Sequence, residues 1–328
     1  MFAGLLNKGR RGSVVLLIII FALSAIITYF STASIESDQY PNLFYNYFTH
    51  YVNNKMAITG LNFLFIGLGV LLISLIAVNQ ELVEKQNYFP VFLYLLLAIA
   101  TVNPFQVTPQ IFTNVFIFFS IYKLLDTYRQ ENVLKQVFEA AFWLSASSFI
   151  TISSIICFPL YFIILLILRP FHWREWIIAL LGFFLPLFLY ECMAYLSDFN
   201  QWYFFNATKL YFHSLRLPSF SEYYLPLSVV LVVMLVISVF YSLVSGFGNT
   251  VKKQRAKSIL LWFVFFASFG FFSGGANSSS IILTYAFPLS FFIGDFLYGL
   301  KQQKVTNTLL AILFFCVLLV FSARLGLI

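Results

Sequence analysis

Charged residues are scarce in this sequence of 328 residues, because Lys, Arg, Asp and Glu together make up only 9% of it. An ordinary soluble domain carries about 25%. Hydrophobic residues account for 61%, and the mean hydropathy is +0.90. This composition excludes a soluble globular protein and a disordered chain. The apolar runs are continuous rather than alternating, which also argues against a transmembrane β-barrel.

Cysteine and histidine are equally rare, with three of each. Cys157, Cys192 and Cys316 lie singly in apolar stretches, so they predict neither a disulfide framework nor a metal site. The sequence contains no H-E-x-x-H, G-x-S-x-G or P-loop pattern. We therefore expect no resident cofactor, although the binding of a divalent cation stays open.

Apolar segments of the length that crosses a bilayer, about 20 residues, are abundant. Eleven can be marked, and they predict an all-α polytopic transmembrane helical bundle that forms a single integral membrane domain over residues 1–328. Joining or splitting the shortest segments moves the expected count between nine and twelve. The predicted spans are 14–30, 58–78, 90–102, 111–125, 137–153, 155–168, 176–195, 224–246, 258–272, 280–297 and 305–323.

The basic residues predict the orientation of these spans. If the N-terminus is inside and the spans alternate, all but four of the nineteen lysines and arginines fall in cytoplasmic segments. The exceptions are Lys55, Lys209, Arg216 and Arg324. This follows the positive-inside rule and predicts an N-in/C-out topology. The net charge of +7 then reflects loops that face anionic membrane lipid, and no nucleic-acid partner is expected.

Two exterior segments, 31–57 and 196–223, are long enough to contain interfacial helices. The first begins with an acidic pair, Glu36 and Asp38. Two carboxylates at the membrane surface could bind a divalent cation or act as a general base towards an acceptor hydroxyl. The same pair is also typical of a solvated loop start, and the sequence leaves both interpretations open.

The second exterior segment contains Lys209, His213 and Arg216, spaced so that they share one face of a helix. A basic face outside the membrane runs against the general charge trend. It could bind a phosphate or a pyrophosphate through charge-assisted hydrogen bonds. Alternatively, these cations extend from an interfacial helix to the lipid headgroups.

The segment LRPFHWREW at 168–176 carries a resemblance to a family. It matches the pattern L-R-P-F-x-W-R-E-W, and the chain resembles an uncharacterised multi-pass inner-membrane family of Bacteroidota. The resemblance extends over most of the chain but implies no activity. It implies that the protein lies in the bacterial inner (cytoplasmic) membrane.

The general architecture resembles the GT-C glycosyltransferases. These are N-in polytopic enzymes with an acidic first exterior loop, and they use sugars carried on polyprenyl phosphates. The resemblance implies that Glu36 or Asp38 is the catalytic carboxylate. It also implies that Lys209, His213 and Arg216 bind the phosphate of a polyprenyl-phosphate-linked sugar at the periplasmic face.

A different class of function is also open. The chain could be a non-enzymatic component of a cell-envelope assembly or secretion machine, with a small-residue helix face at Gly60, Gly67 and Gly69 that meets a partner. A transporter is less favoured, because inverted repeats and paired intramembrane charges are lacking.

Overall fold

The computed structural model describes residues 10–30, 54–83, 87–102, 108–196, 206, 208–209, 222–244, 250–272, 278–300 and 302–324. The described part is helical and contains no strand, so the all-α prediction is confirmed. Two short 3₁₀ helices, Ile152–Cys157 and Glu222–Tyr224, accompany the α-helices. The α-helices are α1 (Arg10–Phe30), α2 (Lys55–Asn79), α3 (Phe89–Thr101), α4 (Pro109–Leu125), α5 (Leu134–Ile150), α6 (Phe158–Leu168), α7 (Trp173–Leu196), α8 (Leu225–Val244), α9 (Val251–Phe272), α10 (Ser278–Gly299) and α11 (Gln303–Arg324).

Each predicted apolar segment coincides with one of these helices. Within the described residues, five helical segments are long and apolar enough to cross a membrane, so the protein is a membrane protein. They are Lys55–Asn79, Trp173–Leu196, Glu222–Val244, Ser279–Gly299 and Gln303–Ala323. Shorter apolar helices lie at Val15–Phe30, Phe89–Thr101, Pro109–Leu125 and Ile152–Leu168.

The helix α5 ends earlier than the predicted boundary at residue 153. The backbone of Thr151 is extended, with φ −135° and ψ 120°, and a 3₁₀ helix follows it. Near this break the hydroxyls of Ser147, Ser148 and Ser154 donate to carbonyls three residues earlier in the chain. Such local bonds compete with regular helix geometry, which explains the change of helix type here.

The polar contacts between helix ends fall into two groups, so the bundle has two ends of different character. At one end Lys123, Arg169 and Asp295 form ion pairs, and we call it the basic end. At the other end Asn62 Oδ1 accepts from the Thr108 backbone N–H at 3.1 Å, and Gln110 meets Thr284. We call this the polar end.

The centre of the bundle is formed by α3 and α10. All 13 residues of α3 are buried, and 83% of the apolar window of α10 is buried, against 22% in α7. The two central helices approach closely because Gly294 faces Pro90, where an added Cβ would lie 2.7 Å from the proline ring. The outer helices α7 and α8 expose apolar side chains, as lipid-facing helices do.

Candidate functional site

Of the predicted site residues, Glu36, Asp38, His213 and Arg216 lie outside the described residues. Lys209 is helical and its side chain is exposed. The helices that flank the segments 31–57 and 196–223 are described, and their ends show which side of the bundle each segment connects.

These flanking helix ends lie on the same side of the bundle, at the polar end. The Lys55 ammonium lies 5.9 Å from the centroid of the Tyr29 ring, which brings the start of α2 to the end of α1. The ring of Tyr190 in α7 lies 5.5 Å from the Phe149 ring at the end of α5. Both long segments therefore connect helix ends on the same side of the bundle.

A buried polar cluster of Gln110, Asn114 and Thr284 lies at this end. The Gln110 Nε2 donates to Asn114 Oδ1 at 3.2 Å and to Thr284 Oγ1 at 2.7 Å. The Asn114 Nδ2 donates to the Leu283 backbone oxygen at 2.9 Å. All three polar side chains are less than a tenth exposed. Amide and hydroxyl groups buried in a membrane bundle bind adjacent helices together and can line a cavity.

The cluster lies beside a break in the hydrogen bonding of α10. Pro288 has no backbone N–H, so the carbonyl of Thr284 loses its usual helical donor. Asn114 and Gln110 bring amide donors from α4 to this same turn. A proline inside a membrane helix is tolerated where neighbouring side chains supply such groups.

A second pair of contacts extends the polar region. The Thr151 hydroxyl donates to the Thr113 hydroxyl at 2.9 Å, joining the end of α5 to the start of α4. The hydroxyl of Thr108 is buried and has no hydrogen-bond partner within the described part of the chain. This hydroxyl remains available to a group from outside that part.

At the opposite end, the cations of α9 contact the C-terminal ends of three other helices. Lys252 Nζ donates to the Asn79 carbonyl at the end of α2, and Arg255 Nη1 donates to the Leu168 carbonyl at the end of α6. The ammonium groups of Lys253 and Lys257 form ion pairs with the two carboxylate oxygens of Asp295, near the end of α10, at 3.0 and 2.7 Å. Cations stabilise the negative ends of helix dipoles, so α9 holds this end together.

The predicted motif at 168–176 forms a second junction at the basic end. Arg169 Nε lies 3.4 Å from Glu175 Oε1, and its Nη1 donates to the Gln130 backbone oxygen at 2.6 Å. The pair is nearly buried. Arg169 thus joins the segment between α6 and α7 to the segment between α4 and α5.

The loop after α4 contains a carboxyl with an altered pKa. Burial raises the pKa of Asp126, while a hydrogen bond from Tyr122 and the charges of Lys123 and Lys252 act in the opposite direction. Among the described residues no group of three or more His, Cys, Asp and Glu side chains could hold a metal ion. The three cysteines are free, as the sequence predicts.

Residues 43–328 match a family of unknown function, DUF6427. The chain belongs to this family. The matched range includes both ends of the bundle and the motif at 168–176, and it begins after Glu36 and Asp38. No curated protein and no solved structure matches the chain.

Sequence reasoning missed the cluster of Gln110, Asn114 and Thr284. A signal was present, because Gln110 and Asn114 are four residues apart in an otherwise apolar segment and so lie on one helix face. The glycine face is used differently from the prediction. Gly67 faces Phe21 of α1 and Gly69 packs on Tyr94 of α3, so both serve contacts within the bundle.

Proposed function

We propose that this protein is a membrane-embedded transferase, similar to the GT-C glycosyltransferases, that moves a sugar from a polyprenyl phosphate to an acceptor at the polar end of the bundle. The observation that carries the proposal is the position of the flanking helix ends. The helix ends on either side of 31–53 and of 197–221 lie on the side of the bundle that also contains the buried amide cluster. The predicted carboxylates and cations can then contribute to one site.

The charge distribution supports a periplasmic position for the polar end of the bundle. Lysines and arginines of α4, α5, α9 and the motif collect at the basic end. Basic ends face the cytoplasm in inner-membrane proteins, so the polar end faces the periplasm. Polyprenyl-linked sugars that cross the inner membrane are available on that side.

The proposed chemistry is a substitution at the anomeric carbon of the sugar. The acceptor hydroxyl attacks this carbon, and the bond to the phosphate oxygen breaks with its electron pair kept by the phosphate. The proton of the hydroxyl moves to Glu36 or Asp38 as general base. Lys209, His213 and Arg216 stabilise the leaving phosphate through charge-assisted hydrogen bonds.

The buried cluster supports the proposal by fixing the helices at this end. Gln110, Asn114 and Thr284 bind one another and the Leu283 backbone oxygen, which joins α4 to α10 without adding charge to the membrane interior. The buried Thr108 hydroxyl has no partner in the described residues, and it is suited to pair with a sugar hydroxyl.

The test is transfer activity in proteoliposomes, with radiolabelled hexosyl-phosphoundecaprenol as donor and an envelope protein fraction as acceptor. Replacing the general base should lower the transfer rate about 10²–10⁴-fold, so we expect that loss in Asp38→Asn or Glu36→Gln. Glu81→Gln is the matched control, because Glu81 is an exposed carboxylate beside the C-terminal end of α2 at the basic end. Full transfer by both acidic variants excludes the pair from the mechanism.

The alternative is a non-enzymatic envelope component that meets its partner through the glycine face of α2, where Gly60 is exposed, Gly67 faces Phe21 and Gly69 packs on Tyr94. It predicts that the wild-type protein transfers no sugar and co-purifies with an envelope protein in a fixed ratio. That combination of results would replace the transferase proposal.

A further inference from the structure

A cavity of about 340 Å³ opens at the basic end of the bundle. One wall is formed by Glu131, Asn132 and Leu134, at the start of α5. The other is formed by His172, Trp173 and Arg174, at the start of α7. The residues of the second wall belong to the motif at 168–176, which the proposed transfer reaction does not use.

The two walls are held at a defined separation. Arg169 binds the Gln130 backbone oxygen on the side of the first wall and Glu175 on the side of the second. The ring of Trp176 packs at 4.8 Å on Phe162 and at 5.0 Å on Phe171. A cavity between loops fixed in this way is preformed and does not need to be ordered by its ligand.

The walls carry opposite charges. Glu131 places a carboxylate on one side, and Arg174 places a guanidinium on the other. Within the described residues neither side chain forms an ion pair, whereas Glu175 is neutralised by Arg169. A ligand with a single negative charge would be repelled by Glu131, so the cavity favours a group that carries an anion and a cation together.

The position of the cavity at the end of a candidate span leads us to expect lipid headgroups at its level. The cavity borders the first residue of the candidate span Trp173–Leu196. The neighbouring Phe171 and Trp173 are 61% and 60% exposed, as aromatic residues at the membrane interface are. The helices α5 and α7 both begin at the cavity, and the N-terminal end of a helix favours an anion. The guanidinium of Arg174 adds a positive charge on one side.

We propose that this cavity binds the headgroup of a phosphatidylethanolamine-class lipid. The phosphate is bound by Arg174 with His172, and the primary ammonium is bound by Glu131 with the Asn132 side-chain oxygen. A headgroup with N–H donors fits, because carboxylate and amide oxygens require donors. The proposal does not depend on the transfer reaction, since the cavity lies at the opposite end of the bundle.

The experiment measures lipid binding to the purified full chain in detergent by native mass spectrometry. The probes are short-chain phosphatidylethanolamine, phosphatidylcholine and phosphatidylglycerol, together with free phosphoethanolamine. Phosphatidylethanolamine should bind most tightly. Loss of one charge-assisted contact should weaken it about tenfold, so Arg174→Gln and Glu131→Gln should each have this effect. Arg174→Lys should retain part of the affinity.

Lys135→Gln is the matched control, because it changes an exposed charge at the same end that lies outside the cavity. It should bind phosphatidylethanolamine like the wild type. In the Glu131→Gln variant the preference for phosphatidylethanolamine over phosphatidylcholine should disappear, since both then lack the carboxylate partner. Thermal unfolding of each variant shows that the fold is intact.

Three results would overturn the proposal. Equal binding of phosphatidylglycerol and phosphatidylethanolamine by the wild type would show general attraction of anionic lipid to a basic surface. Unchanged affinity in both cavity variants would place the lipid elsewhere. Binding of phosphoethanolamine as tight as that of the lipid would identify a soluble ligand instead.

Discussion

Replacing Asp295 by asparagine removes the one negative charge that two lysines of α9 share at the basic end. Lys253 Nζ lies 3.0 Å from Asp295 Oδ1, and Lys257 Nζ lies 2.7 Å from Oδ2. The side chains of Lys253, Lys257 and Asp295 are 15%, 10% and 17% exposed, respectively. The substitution therefore leaves two cations with little access to water.

The magnitude follows from the cost of an unpaired buried charge. Removing one partner of a buried ion pair costs about 3–5 kcal/mol. Asparagine keeps one acceptor oxygen, and some solvent reaches all three side chains, so we expect about 3 kcal/mol for Asp295→Asn. The matched control is Lys135→Gln, because Lys135 is 86% exposed and lies 3.8 Å from Glu139. An exposed pair of this kind contributes about 0.5 kcal/mol or less.

The assay is reversible unfolding of the full chain in mixed micelles by titration with SDS. Adding Lys257→Met to Asp295→Asn should recover part of the loss, because it removes one of the two unpaired cations. At 0.5 M salt the Debye length is about 4 Å, so the control effect should vanish while most of the Asp295→Asn loss persists. Equal losses in Asp295→Asn and Lys135→Gln would refute the reasoning that the ion pairs of Asp295 are largely shielded from water.

Two further predictions concern packing and pH. Gly69→Ala should cost about 1–3 kcal/mol in the same titration, because its new Cβ would meet the Tyr94 ring at 3.0 Å. Gly60→Ala, at an exposed site with no atom of the described residues within 4 Å, should cost nothing, and equal effects of the two changes would contradict the packing argument. Burial raises the pKa of Asp126, so its contribution to stability is present below the unfolded-state pKa and lost as the pH rises through the folded-state pKa. Asp126→Asn should therefore gain stability relative to the wild type as the pH rises from the unfolded-state pKa through the folded-state pKa, and a difference that does not change with pH would refute this.

The start of α9 carries cations that its own helix dipole disfavours. Four basic side chains lie in the first two turns of α9, which are at the positive end of its dipole. This arrangement is unfavourable for α9 alone. It becomes favourable in the bundle, because Lys252 and Arg255 donate to backbone carbonyls at the C-terminal ends of α2 and α6. The remaining two cations, Lys253 and Lys257, form ion pairs with Asp295.

The class of the protein and the positions of its helices could be predicted from the sequence. Apolar runs such as 58–78 and 280–297 form helices because a backbone in lipid must satisfy its own hydrogen bonds. The concentration of basic residues at one end could also be predicted from the sequence, since alternating spans place Lys123, Arg169 and Lys253 on the same side. These features depend on composition and length, which are properties of each segment by itself.

The partners of individual side chains were decided only by the tertiary structure. Nothing in the sequence pairs Gln110 with Thr284 or Lys257 with Asp295, because those residues are distant in the chain and meet only when α4, α9 and α10 pack together. Likewise, α3 has the apolar composition of a lipid-facing helix, yet all of its residues are buried. In a membrane, lipid and protein interior are equally apolar, so hydrophobicity alone cannot tell a central helix from a peripheral one.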